Sequence, residues 1–168
     1  MIPHLETDRL FLRPRGIADL ADCLAMDREP EVTRFVSGPW DDPVRHEDFV
    51  RSRIGTDFGA GLGYWSIFPK AEPQRFAGWV LLIPENARGP EVEIGWRLTR
   101  ASWGQGFGTE AARAVLEHAA RLHLPRVIAV IDAENHASCR IAEKIGMLPE
   151  GQVHDGRRHL HYVLTRPT

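Results

Sequence analysis

Lysine is nearly missing from this chain, and cysteine is scarce. Lys70 and Lys144 are the only lysines among 21 basic side chains. Arginine suits phosphate binding, but a codon bias is enough to explain the imbalance. Cys23 and Cys139 are the only cysteines, and they form neither a CxxC pair nor a metal-ligand spacing. That excludes a cysteine metal site and fits free thiols in a reducing cytoplasm. A charge excess is missing too: the net charge of −2 gives no support for a nucleic-acid or membrane-surface partner. No apolar run approaches bilayer length, and the opening MIPHLETDRL carries charge early, without an apolar signal run. Internal repeats, low-complexity segments and linkers are also lacking. What is present is 168 residues, 43% hydrophobic and 26% charged. This predicts one soluble cytoplasmic domain, 1–168, with a sizeable core.

Punctuation and periodicity predict the elements. Leu10–Leu12 reads as a short strand closed by Pro14. Residues 18–27 carry apolar side chains at helical spacing, and Pro30 ends that helix. Residues 32–40 read as irregular, with a Gly38-Pro39 turn. Asp41 or Asp42 can cap a second helix running to about residue 58, with Val44, Phe49, Val50 and Ile54 as its stripe. Gly59 to Gly63 reads as a mobile rim. Strands follow at 64–68, 75–83 and 92–98, joined by short turn-rich segments, as in an antiparallel meander. The strongest helix is 109–122, with Ala111, Ala112, Val115, Leu116, Ala119 and Leu122 on one face. Val127–Ile131 is an apolar run suited to a strand buried on both sides. A helix from about Asn135 to Ile145 follows, with Gly146 at its C′ position. A hairpin, 148–154 and 157–164 around Asp155-Gly156, closes the chain. The fold class is α+β: a mixed, mostly antiparallel sheet of about seven strands with four helices.

The stretch Glu91 to Glu110 carries the clearest chemistry. Strand alternation sets Glu91, Glu93 and Arg97 on one face, against Val92, Ile94, Trp96 and Leu98 on the other. Gly104, Gly106 and Gly108 then lead into a helix expected to open at Thr109 with Glu110 in its first turn. Bare N–H groups and the helix dipole there favour a phosphate. A dinucleotide fingerprint needs GxGxxG, whereas the spacing here is GxGxG. A P-loop needs a lysine after its glycines, and Phe107-Gly108-Thr109 has none. A glycine loop that only turns the chain is the plain alternative.

The loop resembles the acyl-CoA loop of the GNAT N-acetyltransferase superfamily, Q/R-x-x-G-x-G/A. Trp103-Gly104-Gln105-Gly106-Phe107-Gly108 matches its last three places and carries Trp at the first. That departure resembles the W-G-K-G-Y/F-A/G-T-E-A of the RimJ/RimL-type branch. Leu5 through Leu10 with Leu12-Arg13-Pro14, Glu93-Ile94-Gly95-Trp96, and Asn135 to Met147 are similar to the same branch, so the resemblance spans nearly the whole chain.

The resemblance implies a GNAT fold and acetyl transfer from acetyl-CoA to a primary amine, by direct attack with both substrates bound. The acceptor would be a protein or peptide N-terminus, an amino acid or a small amine. The amides of Gln105, Gly106, Phe107, Gly108 and Thr109 would hold the pyrophosphate, beside Gly104 and Trp103. The pantetheine would follow Trp96, Arg97 and Leu98, with Asn135 in contact from the next helix. Glu93 is the candidate base, with Glu91 in reserve; a strand glutamate that is merely solvated, or paired with Arg97, is the plain alternative. Many members use a tyrosine acid on the helix after Asn135, where this chain has Ala142, and Ser138 matches the branch's serine instead. Ser138 and Asn135 would equally serve as first-turn and cap residues with no catalysis. Trp40, His46 and Phe49 would lie near the acceptor. His159 and His161, with His154 across the hairpin, lack the further ligands of a metal site, and no metal is expected. No nucleic acid or membrane partner is expected, and the assembly would be a monomer or homodimer. A non-catalytic acyl-CoA sensor or partner subunit is the other class of function that fits.

Overall fold

The computed structural model describes residues 2–154 and 158–165. Its strands are β1 (Leu5–Glu6), β2 (Leu10–Pro14), β3 (Gly63–Pro69), β4 (Gly78–Pro84), β5 (Val92–Leu98), β6 (Arg126–Asp132), β7 (Leu148–His154) and β8 (Arg158–Thr165). Its α-helices are α1 (Leu20–Asp27), α2 (Pro30–Thr33), α3 (Pro43–Gly55), α4 (Phe107–Arg121) and α5 (His136–Lys144). The sheet order is β1-β2-β3-β4-β5-β6-β8-β7. Every neighbouring pair is antiparallel except β5 and β6, which run parallel and pair at Glu93–Ile128. A parallel pair needs a crossover, and α4 supplies it.

Successive residues of β4 serve two different cores. Val80 and Leu82 pack with Leu10, Leu12, Trp65 and Ile94 under α4, whose Ala111, Ala112, Val115 and Ala119 face the sheet. Trp79, Leu81 and Ile83 pack on the other side with Leu20 and Leu24 of α1 and Val50 of α3. The period of two along the strand sends neighbours to opposite faces, so a sheet covered on both sides reads as a continuous apolar run. Small alanines on α4 let that helix approach the sheet closely.

Sequence expectations and structure differ in a few places. Among the described residues there are eight strands and five α-helices, where about seven and four were expected. The extra strand is the two-residue β1, which pairs Leu5 with Leu12. The extra helix is α2: α1 stops at Asp27, and Pro30 starts a new turn instead of ending the old one. Proline tolerates the first helical position because the N–H it lacks would have no partner there. The third helix stops at Gly55, short of residue 58, and α4 starts at Phe107, two residues before Thr109. The glycine loop 59–63 is pinned from below, since the Gly61 carbonyl meets His118 Nε2 of α4 at 2.8 Å. The expected Asp155-Gly156 turn lies outside the described residues.

Candidate active site

Because β5 and β6 pair near Glu93 and then diverge, a gap opens between their C-terminal halves. A cavity of about 590 Å³ fills it, lined by Gly95, Trp96 and Arg97 from one strand and Ala129 to Asp132 from the other. Glu93 lines it too, and Asn135 and Ser138 border it at α5. Trp40, Phe49, Tyr64 and Trp79 line the side covered by the first helices. His159 and His161 also line it. The side chain of His154 is outside the described residues, and no cluster of metal-ligating groups occurs among those described.

Glu93 lies opposite Ile83 on the face shared with Leu81 and Trp79. Burial pushes its carboxyl from 4.5 to about 7, helped by the negative charge of Glu85 and opposed by the positive charge of Arg53. Arg97 does not neutralise it. Its Nη1 donates to Asp27 Oδ1 at 2.7 Å, and its guanidinium lies 4.9 Å from the ring of Trp40 and 5.1 Å from that of Trp79. Asp27 in turn meets the fully buried His46 at 3.2 Å. Thus Trp40 and Phe49 line the cavity, while His46 stands behind its wall and holds Asp27. Glu91 faces elsewhere: Arg126 Nε donates to it at 3.2 Å, and the same arginine pairs with Glu150. A base engaged in that way is a poor proton acceptor.

On the opposite rim, the side chain of Asn135 caps α5 by accepting from the Ser138 N–H at 3.2 Å. The Trp96 indole donates to Ser138 Oγ at 3.3 Å. Since Trp96 supplies a proton to that oxygen, the serine's own hydrogen is free for another acceptor. Ala142, where a tyrosine acid would stand, is a fully buried residue of α5.

The glycine loop adjoins the end of β5. Gly104 and Gly106 have φ of +73° and +78°, a backbone that side chains disfavour. Arg9 braces the loop from the N-terminal strands, donating from Nη1 to the Gln105 carbonyl at 2.9 Å and from Nε to Glu110 at 2.7 Å. Thr7 Oγ1 donates to the other oxygen of Glu110 at 2.5 Å. Desolvation acts upward on the Glu110 carboxyl, but these donors and the arginine charge outweigh it and hold it below its usual range. The Trp103 indole N–H donates to the carbonyl of Leu98, the last residue of β5, at 3.1 Å. That gives tryptophan a purpose at a place where the superfamily pattern has Gln or Arg.

Residues 9–148 match the acetyltransferase (GNAT) domain family. This chain belongs to the GNAT acetyltransferases. It is 33% identical over 146 residues to the YkkB protein of Bacillus subtilis (strain 168), covering 85% of this chain and 84% of that one. It is 29% identical to the N-acetyltransferase p20 of Bacillus licheniformis, covering 90% of this chain and 85% of the relative. Among solved structures it resembles an acetyltransferase of Agrobacterium tumefaciens (strain C58), with a TM-score of 0.77 and 28% identity over 99% of this chain and 96% of that one. The chain is therefore an acetyltransferase of a family that uses acetyl-CoA.

The loop of this GNAT chain suits the anionic part of such a co-substrate. Asp42 caps α3 and Asn135 caps α5 through their side chains, whereas α4 begins at Gly106 with no side-chain cap. The first-turn amides of a helix have no internal acceptor, so those of α4 remain open to an anion. A Cβ at Gly104 would point into open space, so the strained backbone, not crowding, explains glycine there. Phe107 is buried and Gly108 packs against Ile141 and Leu98, so these two can offer only main chain. Arg97 of this GNAT chain likewise has its side chain committed elsewhere, leaving its backbone at the cavity.

Sequence reasoning missed Arg9 and Thr7 as braces, Asp27 as the partner of Arg97, and Arg15, Arg53 and Tyr64 as cavity residues. The Leu5–Pro14 segment already resembled the family, which was a signal for the braces. Nothing local marks the others, which lie 28 residues or more from Glu93 in sequence.

Proposed function

We propose that the chain transfers the acetyl group of acetyl-CoA to a primary amine by direct attack, with Glu93 as the general base. The observation that carries this reading is the Glu93 carboxyl, which lines the cavity and has its pKa raised to about 7 by burial. A base titrating near neutrality is about half ionised near pH 7 and is still basic enough to accept a proton from an ammonium group. Acetyl-CoA supplies an activated thioester. The open amides from Gln105 to Thr109 bind its pyrophosphate. The diverging strands, through Trp96, Arg97 and Leu98, orient its arm, and Asn135 contacts it from α5. A main-chain N–H near Gly95 donates to the developing negative charge on the acyl oxygen. The hydrogen of Ser138 Oγ points to the departing sulfur, with Trp96 fixing the oxygen behind it. Trp40 and the other aromatic side chains exclude water. On motif resemblance the chain lies in the RimJ/RimL-type branch, so a protein N-terminus stands among the acceptor classes.

Glu93→Gln tests this. Turnover should fall by about 10²–10⁴-fold, while acetyl-CoA still raises the melting temperature as in the parent protein. Unchanged turnover across the neutral pH range would remove Glu93 as the base.

A further inference from the structure

Side chains of opposite charge line two sides of the cavity. Over β4 and β5 stand Glu85 and Glu93, neither in an ion pair among the described residues. Over β2 and β3 stand Arg15 and Arg53. Arg53, in the last turn of α3, has no ion-pair partner among the described residues and rests 5.4 Å from the ring of Phe49. Arg15 lies 3.6 Å above the ring of Tyr64, and its Nε and Nη2 are buried without a hydrogen-bond partner among the described residues. Burial lowers its pKa, outweighing the raising influence of Tyr64, Cys23 and Asp27 nearby. The carboxylates nearby are already used: Asp19 pairs with Arg13, and Asp27 with Arg97 and His46. The Cys23 thiol beside Arg15 is pushed up to about 11 by burial, so it carries no compensating charge.

One row of the sheet connects the two sides. Tyr64 pairs with Leu81, and Leu81 pairs with Gly95. With strands about 4.8 Å apart, Tyr64 and Gly95 lie about 10 Å apart across β4. Gly95 lacks a side chain and that of Leu81 packs over it, so Leu81 floors the trough along the row from Tyr64 to Gly95. The charges of Arg15, Arg53 and Glu93 all act on the Tyr64 hydroxyl. A ligand spanning this trough meets a carboxylate base at one end and unpaired guanidinium at the other.

We infer that the acceptor is a primary amine that also carries a carboxylate, its amine directed to Glu93 and its carboxylate to Arg53, with Arg15 a buried positive charge behind. The inference rests on the amine-acetylation reading above and narrows its acceptor. It disfavours polyamines, whose far end would bring positive charge to the arginines.

Matched pairs of amines with and without the carboxylate provide the test. L-Phenylalanine with phenethylamine and L-leucine with isopentylamine represent α-amino acids; δ-aminovalerate with butylamine represents longer ones, and spermidine is the cationic control. Release of CoA thiol with acetyl-CoA in excess gives kcat/KM for each. In at least one pair the carboxylate member should exceed its partner by about 10–100-fold, the range for a charge-assisted hydrogen bond. In Arg53→Gln that ratio should fall towards unity, and Arg53→Lys should restore part of it. A retained rise in melting temperature with CoA shows that either variant is folded. Equal rates within every pair, or spermidine as the best acceptor, would overturn the inference while leaving amine acetylation intact. Should no compound turn over, calorimetric binding of the same pairs decides: Arg53-dependent binding of the carboxylate members supports the site, and its absence rejects it.

Discussion

Replacing Glu93 by glutamine should stabilise the folded protein at alkaline pH even as it removes the base. The carboxyl rises from 4.5 to about 7 on folding because it leaves water and stands near Glu85. Between those two values the folded chain holds a proton that the unfolded chain has released. Stability therefore falls as pH rises through that window, the reverse of a carboxylate held by a cation. A shift of that size, at 1.36 kcal/mol per pH unit, corresponds to about 3 kcal/mol once both states are ionised. Glutamine has nearly the same shape and carries no charge at any pH, so the variant escapes this loss. The stability difference between Glu93→Gln and the parent should be near its baseline at about pH 4 and grow by about 3 kcal/mol by about pH 8. For a chain of this length that is a relative gain of about 6–12 °C in melting temperature. Thermal unfolding followed by circular dichroism at several pH values, without acetyl-CoA, measures it. Taking the difference between the two proteins cancels the other titrating groups. A difference that stays constant across this range would refute the reasoning, because Glu93 would then titrate as it does in water.

Three further perturbations probe the same geometry. Glu85→Gln removes the negative neighbour of Glu93, so the acid limb of the kcat/KM profile should move to lower pH from its position near 7; an unmoved limb would dissociate the two carboxylates. Gly78→Ala should cost more than about 3 kcal/mol, since its Cβ would lie 2.2 Å from the Arg97 carbonyl oxygen and force β4 from β5, whereas Gly146→Ala, also at positive φ but in open space, should cost about 1–2 kcal/mol by chemical denaturation. Trp103→Phe deletes the donor to the Leu98 carbonyl and should lower stability by about 1 kcal/mol, with a raised KM for acetyl-CoA and little change in kcat; a loss confined to kcat would refute the assigned role.

Most of the architecture was legible in the residues because it depends on short-range rules. The 3.6-residue pattern of α4, the apolar run of β6, the Asn135 cap and the Gly146 terminator all sit where local chemistry puts them. The misses were also local in origin. Pro30 is compatible with either the end of one helix or the start of the next, and only the turn actually adopted decides between them. A two-residue strand such as β1 has too few side chains to show a period. At the site, the face of Glu93 was legible through strand alternation, and the turn before α4 through glycine spacing. The fate of Arg97 was not, because Glu93 and Asp27 compete for it on equal terms in the sequence.

The sequence by itself determined the periodicities, the caps, the glycine turn before α4 and the face on which Glu93 stands. Each follows from backbone sterics and hydrogen bonding within a few residues. Tertiary structure alone decided the charges. It paired Arg97 with Asp27, left Arg15 and Arg53 outside the ion pairs formed among the described residues, and raised Glu93 towards neutrality. Coulomb energies and desolvation depend on distance and burial in space, and the groups that set them here are brought together only when α1, α3, β3 and β5 enclose one cavity.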